Sequence, residues 1–351
     1  MASSKRVLAL VALLSCTEAH ATFSISACDD SGACGVAVAT NNLAVGATVA
    51  YARADVGALA TQFETNPNYG PRGLSMLARG MTPERTVATL LEGDNLFEGQ
   101  GPSARQVAIV SRHGDTVIFT GAEALGSPWA GGRRGRGYAV IGNGLAGAQV
   151  LADMETTFLH AEGPLAARLM AALEAGHRAG GQSIGEMSAV LLVRTRSGAF
   201  QDTDLRVDAA DDPVAELRKL FDLTRAHDAM LGAERFTREK RQKESDEAME
   251  TALRLAPSWD RIWRRATRLA LQWDEPRACN YLRRFRELNA RWADQEIAAG
   301  SYERCKNGLS GRVRRGAGQA RPARPGCAAA DPIVVPIHEG LAKVCRWRIP
   351  G

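Results

Sequence analysis

Hydrophobic and polar residues alternate in short runs before about residue 225 and recur at helical spacing after it. Apolar, β-rich runs bounded by glycine, aspartate and asparagine predict strands at 22–27, 35–40, 45–53, 56–62, 105–110, 116–120, 138–142, 188–194 and 204–207. Helical spacing predicts helices at 73–79, 83–92, 154–161, 165–179 and from 213 to about 225. This order predicts an α+β fold and suits two stacked antiparallel sheets with helices on both outer faces.

Long, charged helices are predicted in the next part of the chain, at 234–255, 259–273 and 276–292. Trp259 and Trp292 end two similar segments and lie 33 residues apart, close to the length of a tetratricopeptide repeat. About one and a half repeats are too few for a self-supporting array. We therefore predict a helical, tetratricopeptide-like appendage over 225–299 that packs on the preceding domain or on another subunit. A peptide-binding groove is the sharper alternative.

The first 21 residues have the pattern of a secretory signal peptide. A lysine and an arginine precede an apolar run over 7–14, and Ala-His-Ala at 19–21 has the small-x-small pattern that signal peptidase cleaves. The apolar run is too short to span a bilayer as a helix. We therefore predict export to the periplasm or the medium, no transmembrane segment, and a mature chain that begins at Thr22. Lipoprotein processing at Cys16 is the alternative.

Charge is distributed unevenly along a chain of otherwise ordinary globular composition, 45% hydrophobic and 24% charged. The net charge is +5, but residues 300–351 alone carry +7 and residues 22–299 carry −3. The main body therefore has no nucleic-acid footprint, and we predict no nucleic-acid partner. The tail over 300–351 is basic and low in complexity, rich in Gly, Arg and Pro over 310–325, and is predicted to be largely disordered.

Six cysteines remain after the predicted cleavage: Cys28, Cys34, Cys279, Cys305, Cys327 and Cys345. An even count in an exported protein permits three disulfides. Cys28 and Cys34 flank a turn sequence between two predicted strands, so we predict that they pair, and the other pairings stay open. A zinc site is disfavoured because the cysteine spacings contain no repeated C-x-x-C motif and no pair of histidines lies near the cysteines. Phosphate loops and dinucleotide fingerprints are missing from the sequence, so no metal or organic cofactor is predicted.

Several sequence blocks between 22 and 223 resemble the domain-of-unknown-function family 1028. They include Thr22-Phe23-Ser24-Ile25, Asn66-Pro67-x-Tyr69-Gly70-Pro71-Arg72, Trp129-Ala130-Gly131, Gly142-Asn143-x-Leu145-Ala146-Gly147 and Asp212-Pro213-Val214-Ala215-Glu216-Leu217. That family is similar to N-terminal-nucleophile hydrolases, so the resemblance implies their four-layer αββα sandwich over 22–224. Related chains open with Met-Thr-Phe-Ser, so loss of the methionine exposes the threonine that signal cleavage exposes here. The chain departs from the family at 124–132, which lacks an expected Cys and His, and at Ile141, where glutamine is expected.

A threonine at a chain terminus has its own base for catalysis. Its hydroxyl is a weak nucleophile, and the α-amine, with a pKa of about 7.7–8.0, can accept the proton. Thr22 is therefore the predicted nucleophile of an amidohydrolase that transfers an acyl group to water from a small-molecule or peptide amide. The alternative at this residue is a strand that begins with a β-branched side chain. The alternative for the whole chain is a catalytically silent αββα binding or scaffold module in the cell envelope.

Two asparagines are predicted to assist Thr22. Asn143, in a glycine-rich turn that closes a strand, is a candidate oxyanion donor, or else a plain turn residue. Asn41 is a candidate for orienting the terminal amine. The alternative is that asparagine occurs at this position because it favours the geometry of a loop. Candidate substrate-binding residues combine amide, phenol, guanidinium and indole groups: Gln62, Asn66, Tyr69, Arg72 and Trp129. Arg72 is a candidate for binding a substrate carboxylate; the alternative is a salt bridge or a contact at the start of a helix. Trp129 is a candidate for lining the pocket; the alternative is packing in the core or at its rim. A homo-oligomer is compatible with these features.

Overall fold

The structure is a computed structural model that describes residues 21–198, 201–274 and 276–305. The predicted signal sequence up to residue 20, with Cys16, lies outside the described residues. So does the tail beyond residue 305, with Cys327 and Cys345. Within the described part of the chain, no helix is both long and apolar enough to cross a membrane.

The larger sheet has six antiparallel strands. They are β1 (Thr22–Cys28), β2 (Cys34–Thr40), β7 (Gly131–Gly135), β8 (Tyr138–Asn143), β9 (Ser188–Arg194) and β10 (Thr203–Val207). Their order across the sheet is β10-β9-β2-β1-β8-β7, so β1 is central and is hydrogen-bonded to β2 and β8. Both faces of β1 are covered, which explains why its sequence is small and apolar and almost every residue is buried.

The smaller sheet has four antiparallel strands in sequential order. They are β3 (Ala50–Arg53), β4 (Gly57–Phe63), β5 (Arg105–Ser111) and β6 (Thr116–Thr120). The two sheets face each other through small and β-branched side chains, including Val36, Val38, Ala58, Ala60, Ala108 and Ile141. Side chains alternate between the two faces of each strand, so every second residue of β4 and β5 faces the larger sheet.

Helices cover the outer face of each sheet. The smaller sheet is packed by α1 (Tyr69–Ala78) and α2 (Pro83–Glu92), and the larger sheet by α4 (Gln149–His160) and α5 (Leu165–Arg178), while α3 is a short turn of helix at Ala122–Leu125. As predicted, α2 begins with Pro83 at its first position and Thr82 as its cap, which accepts a hydrogen bond from the Arg85 backbone N–H at 3.3 Å. The chain therefore has the predicted mixed α+β fold with two antiparallel sheets.

A single 26-residue helix, α6 (Pro213–Arg238), joins this core to the C-terminal helices. Its first half packs on the larger sheet through Val214, Leu217 and Phe221. Its second half enters the C-terminal core through Ala226, Met230 and Ala233. The boundary predicted at 224–225 therefore falls inside a continuous helix.

Four more helices follow: α7 (Gln242–Leu255), α8 (Asp260–Gln272), α9 (Ala278–Leu288) and α10 (Ala290–Ala298). The predicted helix over 234–255 is divided because Lys240 has a φ of 60°, a left-handed conformation that ends α6. The predicted helix over 276–292 is divided at Asn289, whose side chain accepts the Trp292 N–H at 3.1 Å and caps α10.

Two disulfides are present among the described residues. Cys28 and Cys34 form the predicted bridge across the β1–β2 hairpin. Cys279 and Cys305, whose pairing the sequence left open, join α9 to the segment after α10.

One predicted strand was wrong in its bounds, and one observed strand was not predicted. The predicted strand at 45–53 forms only from Ala50, because Ala44 has a φ of 54° and Val45–Ala47 is a 3₁₀ turn. Strand β7 was not predicted, since its Gly-Gly-Arg-Arg-Gly sequence has no strand propensity. It forms as an edge strand against β8.

Candidate active site

Thr22 begins the central strand and lies between the last residues of its two neighbours. Its Cα is paired with Thr40 at the end of β2 and with Asn143 at the end of β8. Because β1 runs antiparallel to both strands, the start of β1 meets both of their ends. Thr22 and Asn143, 121 residues apart in sequence, are therefore neighbours.

The hydroxyl and the backbone nitrogen of Thr22 each have one defined partner. Thr40 donates its hydroxyl hydrogen to the Ala21 carbonyl at 2.7 Å, so in the 3.0 Å contact between the two threonine hydroxyls Thr22 is the donor. The Thr22 N–H donates to Asn143 Oδ1 at 3.2 Å. Thr22 is 5% exposed and Ala21 is 2% exposed. The arrangement fixes the hydroxyl and the nitrogen of Thr22 in a buried position.

Two glutamines from the smaller sheet reach across to the strand ends around Thr22. Gln62 Nε2 donates to the Thr22 carbonyl at 3.2 Å and to Gln106 Oε1 at 2.8 Å. Asn143 Nδ2 donates to the same Gln106 oxygen at 2.9 Å. Ser24 donates its hydroxyl to Gln62 Oε1 at 2.6 Å. We call Thr22, Gln62, Gln106 and Asn143 the inner network.

Backbone carbonyls determine which way these side-chain amides face. Gln106 Nε2 lies 3.0 Å from the Gly142 carbonyl and 3.3 Å from the Gly131 carbonyl, and a carbonyl can only accept. Gln106 Oε1 must therefore face Asn143 and accept from Nδ2. Asn143 Oδ1 is then the atom that faces the Thr22 nitrogen. Its donor, Nδ2, is bonded to Gln106, so Asn143 presents an acceptor to Thr22. The role of Asn143 as a donor to a substrate oxyanion stays a prediction.

The sequence analysis did not identify Thr40 or Gln106. Gln106 is fully buried on the inward face of a strand whose next inward residues, Ala108 and Val110, are apolar. Thr40 is the last residue of a small, apolar strand. A buried amide in such a strand needs a hydrogen-bond partner, which was the available signal. The partner itself lies across the sheets, which sequence spacing does not reveal.

Asn41 lies next to Thr40 but faces away from the Thr22 nitrogen. Its Nδ2 donates to the carbonyls of Ile184 at 3.2 Å and Gly185 at 3.0 Å. Asn41 therefore fastens the loop before β9 to the end of β2.

Asn66 and Tyr69 belong to a different polar cluster, on the outer side of the smaller sheet. Both bind the Asp94 side chain, Tyr69 through its hydroxyl and Asn66 through Nδ2 at 3.3 Å. Arg105 binds both Asp94 oxygens, from Nε and Nη2, each at 3.0 Å. All four side chains are buried. We call Asn66, Tyr69, Asp94 and Arg105 the outer network, and it does not contact Thr22.

Ionisation in the outer network follows from its geometry. Burial alone raises the pKa of the Asp94 carboxyl, but hydrogen bonds from Arg105, Tyr69 and Asn66 outweigh burial and hold that pKa below its ordinary value. Burial, reinforced by the Asp94 carboxylate, raises the pKa of the Tyr69 phenol. Asp94 and Arg105 are therefore an ion pair with a neutral tyrosine beside it.

Arg72 and Trp129 occupy two further positions. Arg72 Nη1 donates to the Gly93 carbonyl at 3.1 Å, next to Asp94 in sequence, so it fastens α1 to the end of α2. Trp129 is half-buried against the core between the larger sheet and its helices, and its carbonyl accepts the Leu145 N–H at 3.1 Å. Leu145 follows Asn143 by two residues, so Trp129 lies at the same end of the sheet as Thr22. Among the described residues, no group of three or more His, Cys, Asp or Glu side chains is placed to hold a metal ion.

The fold and this site define a mixed α+β protein with a buried threonine at the head of its central strand. Residues 22–217 match the model of a family of unknown function, DUF1028, over more than half of the chain. The chain belongs to this family.

A solved structure supports the same assignment. It is a protein from Silicibacter pomeroyi, described as a DUF1028 family member, with 31% sequence identity and a TM-score of 0.51. The alignment covers 57% of this chain and 88% of that one. No curated protein matches the chain.

Proposed function

We propose that this protein is an exported amidohydrolase with Thr22 as its N-terminal nucleophile. The observation that carries the proposal is the placement of the Thr22 hydroxyl and nitrogen against Thr40 and Asn143 at the head of the central strand. Two facing sheets with helices outside each also support a likeness to the αββα sandwich of N-terminal-nucleophile hydrolases. The proposal requires cleavage after Ala21 by signal peptidase, which would give Thr22 a free amine.

In the proposed mechanism, Asn143 orients that amine. Its Oδ1 accepts one N–H, and the nitrogen lone pair takes the proton of Thr22 Oγ as the oxygen attacks the amide carbonyl of the substrate. The new C–O bond forms, the C–N bond breaks, and the amine returns the proton to the leaving nitrogen. Water then hydrolyses the ester on Thr22. Removal of Ala21 frees the Thr40 hydroxyl from the Ala21 carbonyl, which makes Thr40 a donor for the developing oxyanion.

Intact mass and N-terminal sequencing of the exported protein test the proposal, with and without an amide-directed acylating probe. We expect a chain that begins at Thr22 and gains one probe mass there. Thr22→Ala removes the nucleophile and abolishes labelling, whereas Thr22→Ser keeps a hydroxyl beside the amine and retains it. Thr61→Ala is a matched control, because Thr61 is a fully buried strand threonine whose hydroxyl has no hydrogen-bond partner among the residues that the structure describes.

Labelling that persists at the terminus of Thr22→Ala contradicts the nucleophile assignment. A folded chain that begins at Thr22 and is never labelled favours the second candidate, a catalytically silent binding or scaffold module. One observation supports that candidate: Thr22 is only 5% exposed, whereas a cavity of about 710 Å³ lies among the C-terminal helices. On that reading the helices, which we propose are tetratricopeptide-like, carry the function.

A further inference from the structure

The cavity among the C-terminal helices is strongly basic. Its lining includes five arginines and a single carboxylate, Glu234. Four of the arginines lie on α8 at positions 261, 264, 265 and 268, spacing that places them on one face of a helix, and the fifth is Arg238 of α6. We call this cavity the arginine groove.

Two arginines of the groove, Arg264 and Arg265, are already bound to carboxylates. Arg265 Nε donates to Glu234 at 2.7 Å, and Arg264 Nε donates to Glu296. The Arg264 guanidinium also lies over the Trp292 ring, 4.8 Å from its centroid. The guanidinium groups of Arg264 and Arg265 are therefore positioned so that carboxylates can form hydrogen bonds with them.

The three outer arginines, Arg238, Arg261 and Arg268, are exposed. None of their guanidinium groups has a hydrogen bond or an ion pair with a residue in the described ranges. Seven residues separate Arg261 from Arg268 on α8, which corresponds to about 10 Å along the helix axis. The groove thus offers Arg261 and Arg268 on one helix and Arg238 on another, beside the apolar surfaces of Leu269 and Trp292. Arg268 also lies close enough to Glu296 to interact with it electrostatically, without forming an ion pair.

We propose that the arginine groove binds an acidic peptide segment of another protein, with its carboxylates on Arg261, Arg268 and Arg238. Arginine suits this ligand because its planar fork matches a carboxylate with two hydrogen bonds, and the wall already shows that pairing. Leu269 and Trp292 receive the aliphatic parts of the peptide side chains. The chain's own tail cannot be the occupant, since residues 300–351 carry +7.

Fluorescence anisotropy with the full-length protein tests the proposal, using labelled hexaglutamate and, as the uncharged control, labelled hexaglutamine at low ionic strength. We expect binding of hexaglutamate only. Arg261→Gln/Arg268→Gln removes two charged donors and weakens binding about tenfold. Arg283→Gln/Arg291→Gln changes the same charge at two exposed arginines outside the groove lining, and leaves binding within about twofold. The basic tail contributes equally to both variants, so their difference reports the groove.

Circular dichroism and thermal melting of both variants establish that each is folded. Equal binding of hexaglutamine, or equal binding of hexaglutamate by the two variants, overturns the proposal. Displacement of hexaglutamate by tripolyphosphate or a short oligodeoxythymidylate at lower concentration than by unlabelled hexaglutamate also overturns it, and assigns the groove to phosphates. These outcomes do not depend on the reactivity of Thr22, so they leave the hydrolase proposal unaffected.

Discussion

The inner and outer networks meet at two consecutive residues of one strand. Gln106 of β5 faces the larger sheet and binds Gln62 and Asn143, while Arg105 faces the outer helices and binds Asp94. The side chains are on opposite faces because successive residues of a strand alternate. The inner network is neutral throughout, whereas the outer network is built around the ion pair of Asp94 and Arg105.

The difference in charge has a consequence for chemistry. A network of neutral amides holds Thr22 in one orientation without adding a charge. On the proposed function, no charge from this network would then perturb the amine that cleavage creates. A buried ion pair instead penalises the loss of either partner, because the charge left behind is unpaired in a poorly polar environment. On the proposed function, the inner network is therefore suited to positioning Thr22, whereas the outer network fixes the Asp94 loop against the smaller sheet.

Removal of one charge from the outer network has the largest expected effect. Asp94→Asn leaves the Arg105 guanidinium buried without its counter-ion, so we expect the free energy of unfolding to fall by about 3–5 kcal/mol. Urea denaturation measures this change. Asp55→Asn is the matched control, since it breaks the exposed pair with Arg196 and should change stability little. Equal losses of unfolding free energy in the two variants would show that the pair of Asp94 and Arg105 contributes no more to stability than an exposed ion pair does.

Removal of a neutral partner from the inner network has a smaller effect. Gln106→Leu leaves Asn143 Nδ2 without its acceptor, and we expect a loss of about 1–3 kcal/mol. Gln182→Leu provides the control, because the side-chain amide of the buried Gln182 has no hydrogen-bond partner in the described part of the chain, so its removal should be neutral or stabilising. On the proposed function, Gln106→Leu also slows probe labelling at Thr22, which Gln182→Leu does not. Similar stability in both variants would argue against the inner network.

Acid sensitivity of the stability is the smallest expected difference between the networks. It distinguishes the outer network, which contains a titratable carboxyl, from the inner network, whose side chains are neutral. The pKa of Asp94 is lower in the folded protein than in the unfolded chain, so its contribution to stability is complete above the unfolded pKa of about 3.9. That contribution is lost as the pH falls through the folded pKa, when Asp94 takes up a proton. Urea titrations from neutral pH to pH about 3 should therefore show an acid-dependent component that Gln106→Leu retains and Asp94→Asn lacks. The same dependence of unfolding free energy on pH in both variants would contradict this role of Asp94.

Sequence patterns predicted the fold better than the site. The predicted helix at 83–92 and the predicted strands at 116–120 and 188–194 coincide with the observed elements, because their apolar periodicity and boundary residues are local properties. The Cys28–Cys34 bridge was predictable for the same reason, since it closes a hairpin. Strand β7 was not, because pairing with β8 overrides its glycine-rich sequence.

Long-range contacts set the limit at the site. Gln62 and Asn66 lie four residues apart in one polar stretch, yet Gln62 is the inward residue of β4 and Asn66 lies in the loop that binds Asp94. The sequence therefore grouped residues that the sheet separates. Thr22 and Asn143 were identified as candidates, but their contact depends on the pairing of β1 with β8. The same pairing determines that Asn143 presents its oxygen to Thr22.

The burial of the Ala21–Thr22 peptide bond imposes an order on biogenesis. A protease needs this bond in an accessible, extended segment, whereas the folded protein encloses it where β1 is flanked by β2 and β8. On the proposed route, cleavage therefore competes in time with closure of the larger sheet. A chain that closes its sheet first stays a sealed precursor, whose Thr22 nitrogen is an amide and cannot act as a base. Slower insertion of the central strand would then increase the yield of mature protein.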